Sequence, residues 1–163
     1  KVVRVLLSSG ANAAAKTGEG KTARDCARES GKSDVLRVLD DFTRKAGEDL
    51  VRSVSEGAKE VEKCLDQGAD IETSNSAGDT ALIEAASGGR RKIVSLLLDR
   101  GANIEAKNKK GCTALHAAAM SNASGSRGTV SLLLDRGAQI DAVTDEGNTA
   151  LINAAREACM VFS

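Results

Sequence analysis

The stretch VSLLLDRGA occurs twice in this 163-residue chain, at Val94–Ala102 and again at Val130–Ala138. The second copy begins 36 residues after the first. A recurrence at such a period is typical of proteins that stack copies of one structural unit. The apolar residues of the stretch suit one face of a short helix, and its glycine suits the left-handed residue just past a helix end. The stretch therefore predicts a helix and its stop, formed once per repeat.

Two further markers recur beside it. The sequence Gly-x-Thr-Ala begins at four glycines: Gly20, Gly78, Gly111 and Gly147. The sequence Gly-Ala follows the predicted second helices at Gly10, Gly68, Gly101 and Gly137. A threonine in this position can cap a helix by accepting from early backbone N–H groups. Each unit thus predicts two short helices and a reversal, and helices this short need a neighbouring unit to bury their apolar sides.

These motifs resemble the ankyrin repeat, whose hallmark runs Gly-x-Thr-Pro-Leu-His-x-Ala-Ala, then Val-x-Leu-Leu-Leu and Gly-Ala-Asp. The closest match is Gly111–Ala118, with Ala114 where proline is usual. The resemblance covers nearly the whole chain. It implies an all-α ankyrin-repeat solenoid, in which stacked helix-turn-helix units are joined by β-hairpin-like loops.

Composition narrows the class of protein further. The chain has 23 basic and 23 acidic residues, so its overall charge predicts neither a nucleic-acid nor a membrane partner. Four cysteines, Cys26, Cys64, Cys112 and Cys159, are far apart and follow neither a zinc spacing nor the density of a disulfide scaffold. They predict reduced thiols in a cytoplasmic, or else a nuclear, protein.

The two ends of the chain read as complementary half repeats. Residues 1–43 predict a half repeat followed by a repeat like a C-terminal cap, because Arg24 stands where a core leucine is expected. Residues 44–163 predict a repeat like an N-terminal cap, two full repeats and a final half repeat. Counting from Gly147 to Ser163 and on from Lys1 to Gly20 gives 36 residues, the step from Gly111 to Gly147. The pattern thus favours a physical order of 44–163 followed by 1–43.

Three interpretations of this order stay open. In this order residues 42–47 would have to join the last repeat back to the first. That means crossing four repeat steps, roughly 40 Å, whereas Phe42–Gly47 can span only about 20 Å, so a single chain cannot fold in this order. The sequence favours a break or reordering of the chain near this point. The second interpretation is a head-to-tail association in which one chain's end completes another's start. The third is one continuous stack with an irregular junction, and a longer tandem array would also fit.

No catalytic constellation, cofactor site or metal site is predicted, and the chain is not expected to be an enzyme. The stretch Ala15–Thr22 nearly matches a phosphate-binding loop, but it lacks the first glycine and the preceding buried strand. The repeat pattern explains Gly20 and Thr22 fully. For His116, which is the sole histidine, the resemblance implies a structural role in which the ring bonds to backbone and links adjacent hairpins.

The resemblance also implies that partners bind the concave side, which hairpin tips and first helices form. Mapped repeat by repeat, that side comprises Ser76, Ala77, Asp79, Ser87, Lys109, Lys110, Cys112, Met120, Ser121, Asp145, Glu146, Asn148, Arg156, Glu157, Glu19, Lys21 and Glu29. Charges alternate along this set, which predicts a groove that recognises an extended partner by the order of its charges. The surface has no Tyr or Trp, the most frequent binding hot spots.

The leading functional hypothesis is a scaffold that binds a partner protein or peptide in this groove. One alternative is the targeting or adaptor arm of a larger enzyme or ubiquitin-ligase complex. The other is a self-associating repeat array that is completed between chains.

Overall fold

A computed structural model describes residues 2–161 and has nine helices over that range. They are α1 (Val2–Ser8), α2 (Ala23–Glu29), α3 (Ser33–Ser53), α4 (Ala58–Asp66), α5 (Ala81–Ser87), α6 (Arg91–Asp99), α7 (Ala114–Met120), α8 (Ser126–Asp135) and α9 (Ala150–Val161). Isolated antiparallel bridges close three of the loops, at Lys16–Thr22, Ser74–Thr80 and Val143–Thr149. None of the helices in this range is both long and apolar enough to cross a bilayer. The predicted all-α repeat architecture is confirmed.

From α3 onward the helices lie in two rows. The first row consists of α3, α5, α7 and α9, each in contact with the next. The second row consists of α4, α6 and α8, which also contact in order. Within a unit the two helices pack on each other, as α5 does on α6 and α7 on α8. This is the arrangement that the repeated markers predict.

The residues predicted to cap or end the helices do so in the structure. Thr80 caps α5 by accepting from the backbone N–H of Ile83. Thr22 and Asp25 cap α2 reciprocally, and the hydrogen bonds from Thr22 lower the pKa of the Asp25 carboxyl. Gly101 and Gly137 follow α6 and α8 with φ near +90°, at 88° and 90°, where a side chain would be strained. The repeat boundaries are therefore set by local chemistry.

The core is divided into two clusters that meet at α3. The larger cluster runs from Leu50 through Leu82, Leu97 and Leu133 to Ala150. The smaller one consists of Leu7, Ala13, Ala27 and Leu39, with residues such as Phe42 packed against it. Arg24 faces solvent in part, with Nη2 2.7 Å from an Asp40 carboxylate oxygen and 2.9 Å from Thr43 Oγ1. These contacts hold the Arg24 guanidinium on polar groups of α3, and the capping role of its repeat stays a prediction.

The junction between the two clusters is helical. The boundary predicted between residues 43 and 44 lies inside α3, whose 21 residues run unbroken from Ser33 to Ser53. The N-terminal part of α3 pairs with α2, and its C-terminal part heads the first row beside α4. Gly47 is buried at the transition, and a Cβ there would overlap the side chain of Thr73.

In this structure α3 is continuous through the predicted boundary, and the three interpretations of the repeat order stay open. No Gly-Ala marker, which follows the second helices elsewhere, stands within Ser33–Ser53. The repeat order 44–163 followed by 1–43 stays a prediction.

Polar contacts repeat from unit to unit along the second row. Arg100 donates to Asp66 at 3.0 Å and Arg136 donates to Asp99 at 2.8 Å. In the adjoining loops Glu72 accepts from the backbone N–H of Asn103 at 2.7 Å. Glu105 accepts in the same way from Gln139, at 2.8 Å. The ion pairs are partly exposed and worth at most about 1 kcal/mol each, so they fix the register of the units more than their stability.

Candidate functional site: the concave groove

Each hairpin tip is organised by one side chain that accepts backbone hydrogen bonds. Asn108 Oδ1 accepts from the N–H of Lys110 at 2.9 Å and of Cys112 at 3.0 Å. Asn75 does the same for Ala77 and Asp79 in the preceding unit. The side chains that follow these residues are thereby held on a rigid turn.

Neighbouring tips also bond to each other. The backbone N–H of Lys109 donates to the carbonyl of Ala77, and that of Asp145 to Lys110, both at 3.2 Å. Gly111 permits this approach, since a Cβ there would lie 2.6 Å from the backbone nitrogen of Asp145. The tips therefore form a continuous ledge along one edge of the stack.

Beside this ledge the first helices form a depression of about 420 Å³. It is lined by Lys109, Lys110, Cys112 and Met120 from one unit and by Asp145, Glu146, Asn148, Arg156 and Glu157 from the next. A second depression of about 370 Å³ adjoins it and shares Lys110, Cys112 and Met120. Asp79, Ser87 and Ser121 line the second depression. Together the two make one surface across three units, which we call the concave groove.

Ser76 and Ala77, which were predicted for the binding surface, lie at the rim of the groove. Lys109 Nζ donates to the carbonyl of Ser76 at 2.8 Å, and the Lys109 backbone bonds to Ala77. Both Ser76 and Ala77 are exposed at the preceding tip. They extend the ledge without entering either depression.

Glu19, Lys21 and Glu29, which were also predicted for the binding surface, lie away from the groove. Lys21 Nζ lies 2.8 Å from Glu29 and 3.8 Å from Glu19, in a separate cluster on the unit that contains α2. Among the helices of residues 2–161, α2 contacts α3 and no other. The sequence expectation that Glu19, Lys21 and Glu29 continue the same surface is therefore not met within one molecule, and their role in binding stays a prediction.

Sequence reasoning missed several residues of the groove. Glu84 and Asn153 line it from the first helices, three residues before Ser87 and Arg156. Residues three apart share a helix face, so this spacing was a usable signal. Asn108 also lines it, and its Nδ2 donates to Asp79 Oδ1 at 2.7 Å. The tip asparagine thus both shapes the loop and positions an acidic side chain.

The floor of the groove offers contact surface rather than a nucleophile. Burial raises the pKa of the Cys112 thiol, with Lys110 opposing the shift and Asp79 adding to it. The thiol is therefore protonated at neutral pH, and only a thiolate would be reactive. Met120 is exposed and adds a flexible apolar side chain beside it. Within the described part of the chain, no group of His, Cys, Asp and Glu side chains is arranged to hold a metal ion.

The near match to a phosphate-binding loop has another structure. Residues 16–22 form a hairpin tip closed by the Lys16–Thr22 bridge, and the N–H of Thr17 donates to the Lys21 carbonyl at 2.8 Å. A phosphate-binding loop instead joins a buried strand to a helix. The expected absence of such a site at Ala15–Thr22 agrees with this hairpin geometry.

His116 lies fully buried beneath the groove. Its Nδ1 accepts from the backbone N–H of Thr113 at 3.3 Å and lies 2.9 Å from Thr113 Oγ1. Its Nε2 lies 3.2 Å from the backbone oxygen of Asn148 in the next unit. A carbonyl can only accept, so Nε2 carries the proton. The ring caps α7 and links two hairpins, which is the role that the sequence resemblance implied.

We expect His116→Ala to lower the free energy of unfolding by about 2 kcal/mol, because it leaves a helix cap and a carbonyl without their partner. Urea denaturation followed by circular dichroism measures this change. Met120→Ala, on the same helix but exposed, serves as the matched variant and should shift the midpoint little. Equal midpoints for the two variants would contradict the linking role of the histidine.

Comparison with known families agrees with this architecture. The family model described as ankyrin repeats (three copies) matches residues 50–144 and 107–161. These spans begin where the larger core begins, at Leu50, and they include the whole concave groove. No curated protein matches the chain significantly.

Proposed function

The chain belongs to the ankyrin-repeat family, and we propose that it binds an extended segment of a partner protein in the concave groove, without catalysing a reaction. Ankyrin repeats are generally protein–protein interaction modules and are typically non-catalytic. The observation that carries the proposal is the continuity of the groove across three units, on a ledge held by backbone hydrogen bonds.

The charges of the groove indicate what the partner segment carries. Lys109 and Lys110 lie at one tip, and Asp145 and Glu146 lie at the next tip, on the same depression. An extended segment with acidic residues followed, one tip further along, by basic residues would match both. Met120 and Cys112 between them would accept a small apolar side chain. Because the groove offers no Tyr or Trp, aromatic anchors would come from the partner.

The test uses peptides of 12 residues selected from a random display library on the purified chain. We expect Lys109→Glu with Lys110→Glu to weaken their binding by about tenfold or more, because attraction at that tip becomes repulsion. Arg91→Glu with Lys92→Glu is the matched control, since these exposed residues of α6 carry the same charge away from the groove. Fluorescence anisotropy measures each dissociation constant. Peptides that bind the two double variants equally would place the binding surface elsewhere.

The same groove would serve the alternative role of a targeting arm for a larger enzyme or ubiquitin-ligase complex. The proposed location, cytoplasmic or else nuclear, suits both roles. It is supported by the free thiols of Cys26, Cys64 and Cys112, while the side chain of Cys159 lies outside the described part of the chain.

A further inference from the structure

Helix α9 exposes a face that the equivalent helices bury. Leu151 occupies the repeat position of Leu82 and Leu115, which are 2% and 3% exposed, yet Leu151 itself is 78% exposed. Ile152 is also exposed, whereas Ile83 at the same position of α5 is buried. Ile140 and Val143, in the loop before α9, add to the same apolar end of the stack. In the second row no helix of residues 2–161 lies beside α9.

Helix α1 exposes the face that the second helices of other units bury. Aligned on its Gly-Ala marker, Leu6 takes the position of Leu97 and Leu133, both fully buried, yet Leu6 is 55% exposed. Val2 is also exposed, whereas Ile93 at its position in α6 is buried. The helix packs on its own chain through Leu7 instead. The face that a second-row helix turns to the first helix of its unit is therefore free on α1.

The loop and helix that follow α1 also present an unused face. In the first row Ala81 and Ala114 are fully buried, but Ala23, at their position in α2, is exposed. The tip formed by residues 16–22 has the same closing bridge as the tips at Ser74–Thr80 and Val143–Thr149. Residues 2–29 thus correspond in sequence to a second-row helix, a tip and a first-row helix, and Val2, Leu6 and Ala23 are left exposed on them.

The last tip of the stack, closed by the Val143–Thr149 bridge, has space beside it for another tip. At Gly78 and Gly111 a Cβ would meet the backbone of the following tip, at 2.7 Å from Lys109 N and 2.6 Å from Asp145 N. Gly147 has a similar φ of 77°, and nothing lies within 4 Å of the place where its Cβ would be. Asp141 likewise occupies the position of Glu72 and Glu105, which accept from a backbone N–H of the next unit. The donors to Glu72 and Glu105 stand two residues after the glycine of a Gly-Ala marker, and in residues 2–29 that position is Asn12.

We propose that residues 2–29 of a second copy of this chain continue the stack on α9 of the first. Leu6 of the second copy would pack against Leu151, and its tip at residues 16–22 would lie on Gly147. Ser9 stands where Arg100 and Arg136 form their ion pairs, so this junction is held by apolar and backbone contacts. This inference concerns the ends of the stack and goes beyond the proposed function of the groove.

The symmetry of this contact determines what it builds. Helix α1 contacts α3, which begins the first row, and α9 ends that row. Their apolar faces are different surfaces, so the contact is heterologous. A heterologous contact adds copies one after another instead of closing a two-fold dimer. The expected assembly is a series of oligomers whose mean mass rises with concentration.

Sedimentation velocity of the full chain over a range of concentrations tests the proposal. We expect the wild-type chain to associate with rising concentration, and Leu6→Glu and Leu151→Glu each to remain monomeric. An equimolar mixture of the two variants should form a dimer of twice the monomer mass and grow no further, because it retains one intact α1 face and one intact α9 face. Both residues are exposed, so circular dichroism of either variant should equal that of the wild type.

Lys92→Glu, on the outside of α6, is the control and should associate like the wild type. A wild-type chain that stays monomeric at every concentration would overturn the proposal. So would a mixture of the two variants that stays monomeric while the wild type associates. The groove variant Lys109→Glu with Lys110→Glu should still associate, which separates this result from that of the peptide experiment.

Discussion

Replacing Leu115 with alanine should lower the free energy of unfolding by about 3 kcal/mol, whereas the same change at Leu151 should lower it by less than about 0.5 kcal/mol. The two leucines occupy the same position of successive repeats. Leu115 is buried between its own unit and the next, and Leu151 is exposed at the end of the stack. The substitution at Leu115 therefore creates a cavity, and the one at Leu151 does not.

Urea denaturation at low protein concentration, where copies do not associate, measures both changes. Leucine and alanine are both strong helix formers, so helix propensity contributes little to the difference. Similar losses at the two positions would show that α9 is covered in the isolated molecule. A result as predicted would show that a leucine in this repeat contributes to stability only when the next unit is present.

Lys45→Pro should separate the two clusters of the core. Lys45 is an exposed residue in the interior of α3, where proline removes a backbone hydrogen bond and clashes with the preceding turn, at a cost of about 3 kcal/mol or more. The smaller cluster rests on Leu7, Ala13, Ala27 and Leu39, which is too few buried side chains to hold residues 2–43 folded without α3. We expect that part to unfold while the larger cluster persists.

Hydrogen exchange followed by mass spectrometry distinguishes the two parts. In Lys45→Pro, amides around Leu39 should exchange rapidly and amides around Leu97 should stay protected. Lys45→Ala, which preserves the helix, should leave both regions as in the wild type. Loss of protection at Leu97 as well would mean that the chain unfolds as a single unit. Retained protection at Leu39 would mean that α3 does not join the two parts.

Much of the repeat structure could be predicted from local sequence. Gly-x-Thr-Ala places a cap, and the leucine run followed by glycine places the second helix and its end, because each of these preferences acts within a few residues. The role of His116 followed from the resemblance, and the structure shows the contacts that it implied. The resemblance also implied that tips and first helices share one side, and the structure brings residues of both together in the concave groove.

The features that local sequence could not predict depend on which surfaces pack against each other in the folded chain. The sequence shows no marker that ends α3, yet it could not show that the helix would run through residues 43 and 44 and join two clusters. It also assigned Glu19, Lys21 and Glu29 to the groove, whereas the structure places them in a separate cluster beside α2, which contacts α3 alone among the helices of residues 2–161.

What this sequence determined by itself is the repeating unit: its two helices, its caps, its tip and its buried histidine. Tertiary structure decided the continuity of α3, the extent of the groove, and the exposure of Leu6 and Leu151. The physical reason is that caps and glycine turns form within one unit, whereas the burial of an apolar face depends on the unit that packs against it.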